Sequence, residues 1–140
     1  LDLNQKLFES SHSISPEFNL DWPHGPEAKE VFAKAIVSTT NFLLVAEEEV
    51  GIVGYLWGSI EDFNYRRPSK FAVIVNIFVD ENYRNRGVGK QLVDRFIEEA
   101  KHLGPSKLRV ETGASNHKAI NFYKQLGMDE FSVTLEKDLD

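Results

Sequence analysis

Cysteine is missing from all 140 residues. Disulfides, thiolate metal sites and a cysteine nucleophile are thereby excluded. No apolar run approaches the ~20 residues that a membrane helix needs, and the start carries no signal-peptide pattern. No membrane partner is therefore expected, and a cytoplasmic location is. Positive charge is in short supply. Sixteen Lys and Arg stand against 22 Asp and Glu, for a formal net charge of −6. Nucleic-acid binding needs a basic face to neutralise phosphates and is disfavoured; a cationic substrate would be attracted. The four histidines, His12, His24, His102 and His117, lack the spacing of a ligand set, so no metal is expected. The first residue is Leu1 rather than Met, and the native start is expected upstream.

What is present suits one soluble globular domain. Hydrophobic residues make up 41% and charged residues 27%, and the length allows a real core. Asp2–Ser10 reads as a short helix with Leu3, Leu7 and Phe8 on one side. Ser11–Gly25 reads as a loop able to lie over a binding site. Pro26 suits the first turn of a second helix, which runs to about Ser38 on a stripe of Val31, Phe32, Ala35 and Ile36. Asn41–Ala46 and Ile52–Ile60 read as a hairpin. After a polar loop, Asp62–Lys70, comes Phe71–Val79, apolar and β-branched enough for a central strand, with Asn76 its one polar interruption. Val88–Leu103 has helical spacing, and Gly104-Pro105 stops it. Lys107–Thr112 alternates as a strand. Asn116–Leu126 is a shorter helix, capped by Ser115 or Asn116 and closed by Gly127. Phe131–Lys137 alternates as a last strand. The order predicts a single α/β domain, a mixed sheet covered by helices, with a right-handed parallel crossover over 71–112.

The strongest local feature is the turn from Val79 to Lys90. A buried strand runs into it and a helix leaves it. The first N–H groups of that helix have no internal partner and carry the positive end of its dipole. Gly87 and Gly89 permit close approach to the backbone, and Arg84, Arg86 and Lys90 add positive charge. This is the chemistry of a diphosphate cradle. Two rival phosphate motifs fail. A dinucleotide fingerprint needs a third glycine where Leu92 stands, and a Walker A loop needs Ser or Thr where Gln91 follows Lys90.

Arg84-x-x-Gly87-x-Gly89, behind the strand end Ile77-Phe78-Val79, resembles the Q/R-x-x-G-x-G/A signature of the GNAT N-acetyltransferase superfamily. Asn116-x-x-Ala119-x-x-Phe122-Tyr123-x-x-x-Gly127 is similar to the second motif of that family. Likeness covers about Asn41 to Leu139; the family's first strand is expected upstream of Leu1. The resemblance implies a six- or seven-stranded mixed sheet in which the two central parallel strands, here 71–79 and 107–112, splay apart around the pantetheine arm of acetyl-CoA. It implies that backbone groups of Ile77, Phe78 and Val79 pair with that arm. The N–H groups of Arg84, Asn85, Arg86, Gly87, Val88, Gly89 and Lys90 would hold the diphosphate, and the Asn116 side chain would bond the arm.

By the same resemblance Tyr123 protonates the departing thiolate. An unperturbed phenol, near pKa 10, stays protonated at neutral pH. The Val79 N–H would serve the acyl oxygen. Relatives often carry a carboxylate base near Asn76. An asparagine cannot be that base, but it can orient a water or the substrate. Glu111 is the first substitute, with Glu61 and Asp62 behind it. Arg66 and Arg67 read as a solvated loop. The implied activity is acetyl transfer from acetyl-CoA to a primary amine of a small molecule, peptide or protein, by direct attack in a ternary complex. The alternative is a non-catalytic acyl-CoA-binding module. Homodimer formation is left open.

Overall fold

The computed structural model describes residues 1–12 and 19–139, with Ser11 and His12 by backbone alone. The 13–18 stretch of the expected loop lies outside the described residues. Four helices are α1 (Asp2–His12), α2 (Pro26–Val37), α3 (Val88–Ala100) and α4 (His117–Gln125). Four strands, β1 (Asn41–Glu48), β2 (Gly51–Asp62), β3 (Lys70–Val79) and β4 (Lys107–Val110), form one sheet in the order β1-β2-β3-β4. β1, β2 and β3 are antiparallel neighbours, and β4 runs parallel to β3 across the α3 crossover.

Helix α3 holds the core. Leu92, Val93, Phe96 and Ala100 are buried at helical spacing against Leu56, Ala72 and Ile74 of the sheet. Phe96 lies so close to β2 that a Cβ at Gly58 would meet its ring at 2.4 Å. Glycine is there for space.

Strand β3 carries a bulge. Trp57 pairs with Asn76 and the next residue, Gly58, pairs with Ile74, so Val75 is left over. One extra residue flips the faces that follow. Ala72 and Ile74 point into the α3 core before the bulge, and Ile77 and Val79 pack against the same core after it. Asn76 is thereby turned to the opposite face, where α1 lies. The polar interruption in the sequence is the bulge.

The ladder between β3 and β4 is short. It runs from Phe71↔Lys107 to Ile74↔Val110 and stops. The rest of β3 has no β4 partner, so the two strands part as expected, with β4 ending at Val110 rather than Thr112.

The sheet has four strands among the described residues, against the six or seven that the resemblance implied. The expected strand Phe131–Lys137 has no ladder, and Phe131, Val133 and Leu135 are exposed. Alternation fixes which way side chains point, but a strand also needs a neighbour for its backbone, and none of the described residues supplies one. Only the Phe131 ring makes a specific contact, beside the guanidiniums of Arg66 and Arg109 at 4.8 and 5.8 Å.

The tight fit at Gly58 gives a first prediction. Gly58→Ala should destabilise the chain by about 1–3 kcal/mol through overpacking against Phe96, read as a lower urea midpoint. An unchanged midpoint would mean that this part of the core is loose.

Candidate active site

The bulged strand, the turn after it and the helix that follows build one continuous run of backbone. The Asp80 N–H bonds the Val53 carbonyl on β2 at 2.7 Å. Alternation then turns the Phe78 N–H to β2 as well, and aims those of Ile77 and Val79 at the free edge. So Ile77 and Val79 present their N–H groups where β4 has departed, while the Phe78 backbone is used by the sheet. This corrects the expectation for Phe78, whose side chain is buried instead beneath the Arg84 guanidinium, 5.1 Å from its ring.

Arg84 folds back. Its Nε donates to the Val79 carbonyl at 2.8 Å, closing the end of the strand. Arg86 stacks over Tyr83 at 5.3 Å, and Lys90 pairs with Asp94 one helical turn on. The basic side chains of the turn are thus engaged internally, which leaves the backbone N–H groups as its free donors. Asn85 and Gly87 both have positive φ, 61° and 80°. Gly87 is the N-cap of α3, and no side chain caps the first turn. A Cβ at Gly87 would meet nothing within 4 Å, so this glycine is set by its left-handed φ rather than by crowding, and the N–H groups of Val88, Gly89 and Lys90 have no partner among the described residues.

Gly89 has another task than the one expected. A Cβ there would lie 3.1 Å from the Phe122 ring, so this glycine lets α4 pack on the first turn of α3. The two motifs of the sequence touch at that point. Asn116 caps α4, its Oδ1 accepting from the Ala119 N–H at 3.2 Å. Its Nδ2 has no partner among the described residues and remains the group free to bond a ligand.

Tyr123 is 9% exposed and packs in the core with Phe122 edge-on at 5.2 Å. Its hydroxyl has no hydrogen bond among the described residues. Burial pushes its pKa up to about 12, because the phenolate would sit in an apolar surround.

On the opposite face a cavity of about 340 Å³ opens where β3 and β4 part, lined by Glu61, Phe63, Val73, Ile74, Val75, Arg109 and Glu111. Glu111 and Glu61, weighed in the sequence as alternative bases, therefore share one cavity. Glu61 accepts from the Ser59 hydroxyl at 3.2 Å. Glu111 has no hydrogen bond or ion pair among the described residues. Asp62 is not among the lining residues. Arg109 is held flat over Phe71 and Phe63, at 4.6 and 5.0 Å.

Asn76 is bound on every side. Its Oδ1 accepts from Asn4 Nδ2 at 3.2 Å and from the Tyr55 hydroxyl at 3.4 Å, and its Nδ2 donates to the Val75 carbonyl at 2.7 Å. Asn4 and Tyr55 were invisible as site residues, since both sit within apolar stripes without a motif around them.

Splayed parallel strands, an uncapped helix N-terminus reached through a left-handed glycine, and a tyrosine about two turns into a capped α4 stand in one constellation. The chain matches the acetyltransferase (GNAT) family over residues 7–128. It is a GNAT family member. A stretch of 62 residues is 37% identical to the ribosomal protein bS18-alanine N-acetyltransferase of Escherichia coli, covering 44% of this chain and 42% of that enzyme. The chain spans less than half the length of that curated relative. Among solved structures, a Bacillus halodurans protein superposes with a TM-score of 0.85 at 22% identity, over 99% of this chain and 90% of that one. An aminoglycoside N-acetyltransferase solved in complex with CoA gives a TM-score of 0.71 at 19% identity, over 85% and 90%. At such identities the structural likeness is one of fold. No helix among the described residues is long and apolar enough to cross a membrane.

Two buried tyrosines make this GNAT domain sensitive to alkali. Burial raises both Tyr55 and Tyr123 to about 12, whereas an unfolded tyrosine ionises near 10. Each contributes stability that is fully present below pH 10 and lost as pH rises towards 12, on the order of 2–3 kcal/mol apiece. Tyr123→Phe and Tyr55→Phe should each flatten the fall of the urea midpoint across that window. A slope identical in wild type and both variants would show that neither phenol is shielded.

Proposed function

We propose that the chain catalyses acetyl transfer from acetyl-CoA to a primary amine of a small molecule, peptide or protein, by direct attack within a ternary complex. One observation carries this reading: unpaired backbone donors run from the free edge of β3 into the open first turn of α3. That surface fits a long ligand with a polar chain and a diphosphate. Acetyl-CoA would supply an acyl group already activated as a thioester.

In this reading the N–H groups of Val88, Gly89 and Lys90 hold the diphosphate, with Asn85, Arg86 and Gly87 shaping the turn. The Ile77 backbone and Asn116 Nδ2 bond the arm. The Val79 N–H points at the acyl oxygen and stabilises the charge that develops there. Tyr123 stays protonated across the working pH range and offers its hydroxyl to the departing sulfur. Glu111, unpaired at the mouth of the split, takes the proton of the incoming amine. Asn76 cannot, being an amide and already bonded. An acidic cavity suits a cationic acceptor. The E. coli relative acts on an alanine of a ribosomal protein, which favours a peptide α-amine among the candidates. A cytoplasmic location, with acetyl-CoA at hand, belongs to the same reading.

The test is release of free thiol from acetyl-CoA over a panel of amines that includes peptides with a free N-terminal alanine, polyamines and aminoglycosides. Glu111→Gln should lower kcat by about 10²–10⁴-fold, with CoA affinity by calorimetry unchanged. Tyr123→Phe should lower kcat by about tenfold or more with the same CoA affinity. A Tyr123→Phe variant that turns over like wild type removes the donor role. Tight CoA binding with no transfer to any amine would favour a non-catalytic acyl-CoA-binding module, the reading that an asparagine at position 76 also suits. Absence of heat with CoA would remove both.

A further inference from the structure

Between Val75 and Val79, β3 is supported by β2 on one edge and by no strand among the described residues on the other. A strand so placed would be expected to move, yet it must present two N–H groups at fixed positions. Helix α1 ties it at both ends. Asn4 reaches Asn76 at the start of the free segment, and Lys6 forms an ion pair with Asp80 just beyond its end. Tyr55 stands between, its hydroxyl accepting from Asn4 Nδ2 at 2.8 Å and donating to Asn76 Oδ1. Asn76 passes the constraint to the bulge itself through its bond to the Val75 carbonyl.

This cluster is costly. Asn4 is 1% exposed, and its Oδ1 is buried without a hydrogen-bond partner among the described residues. A buried acceptor left unmet lowers stability, and an apolar residue of similar size would avoid that loss. A group retained at such a cost in the core points to position rather than stability as its role.

We propose that α1 is a clamp on the free edge of β3, with Asn4 and Tyr55 as positioning residues for acyl transfer. The inference deepens the acetyl-transfer reading and rests on it. By fixing the bulge, Asn4 and Tyr55 hold the Ile77 and Val79 N–H groups at the spacing that the thioester end of the ligand requires. Lys6 and Asp80 hold the far end of the same segment.

Three variants of the full chain test it: Tyr55→Phe, which removes one hydroxyl; Asn4→Leu, which fills the same space without polar atoms; and Lys6→Met, which cuts the outer tie at an exposed position. The measurements are CoA affinity by calorimetry and amide hydrogen exchange resolved to Phe78 and Asp80, whose N–H groups bond β2 on either side of Val79, each with and without CoA. A clamp predicts that exchange at these two amides rises by about tenfold in every variant, while the amides of α3 keep wild-type rates. It also predicts that CoA protects the two amides less than in wild type. Tyr55→Phe and Asn4→Leu act through one chain of bonds, so the double variant should be no worse than the more severe single one. If either inner variant is too unstable to study, Lys6→Met carries the test alone. A purely structural role would raise exchange evenly across the chain and overturn the clamp. So would wild-type exchange at Phe78 and Asp80 in the variants. Failure of the wild-type chain to bind CoA would instead remove the acetyl-transfer reading, and the exchange pattern without CoA would still decide whether α1 restrains the strand.

Discussion

Everything at the site follows from one unmet ladder. Strand β3 has a hydrogen-bonding neighbour on both sides as far as Ile74 and on one side only thereafter. Unpaired strand backbone is unstable beside a core and open to any chain that matches its pattern. Here no strand among the described residues fills the gap. The bulge at Val75 turns Asn76 out and keeps Ile77 and Val79 in, so the apolar side chains stay in the α3 core while their N–H groups face the vacant edge. A regular strand through the same sequence would bury Asn76 and expose both hydrophobic residues.

The second half of the site is also backbone. Positive side chains are plentiful in the turn, but each has other work. Arg84 closes the strand end, Arg86 stacks on Tyr83 and Lys90 pairs with Asp94. What faces open space is the uncapped turn of α3 behind Gly87. A diphosphate held in this way is recognised by fixed dipoles rather than by long cationic chains that would have to be ordered on binding. The two glycines divide the labour. Gly87 supplies a left-handed conformation, and Gly89 supplies room for Phe122, which couples α4, and with it Tyr123, to the cradle.

The parts of this arrangement that depend on local chemistry were legible in the residues. Helical spacing marked α3, a run of β-branched residues marked β3, and the glycines between them marked the turn into α3. Asn116 and Gly127 marked the ends of α4. What sequence reading missed depends on contacts between distant segments. Nothing near Asn4 or Tyr55 announces that they meet Asn76, since the separations are 72 and 21 residues. The same limit explains Phe131–Lys137. Its alternation is as clean as that of β4, but β4 finds β3 and this segment finds no partner among the described residues. Gly89 shows the subtler case, where the residue type was read rightly and its cause was a ring arriving from α4.

The division of roles between the two parting strands has a physical basis. A carboxylate at position 76 would be lodged against Asn4, Tyr55 and the Val75 carbonyl. It would face the Val75 carbonyl oxygen, which repels a carboxylate, with no cation beside it among the described residues. An amide in that position serves a different end, since it can donate to the bulge carbonyl and accept from two neighbours at once. In the proposed reading the proton-accepting role falls to a group that remains in contact with solvent and still reaches the split. Glu111, one residue past the end of β4 and lining the cavity, meets both conditions. In the proposed reading geometry is fixed on β3 and the proton is exchanged where the chain is wet, so a neutral residue on β3 and an acidic one just past β4 are two consequences of the same parting of strands.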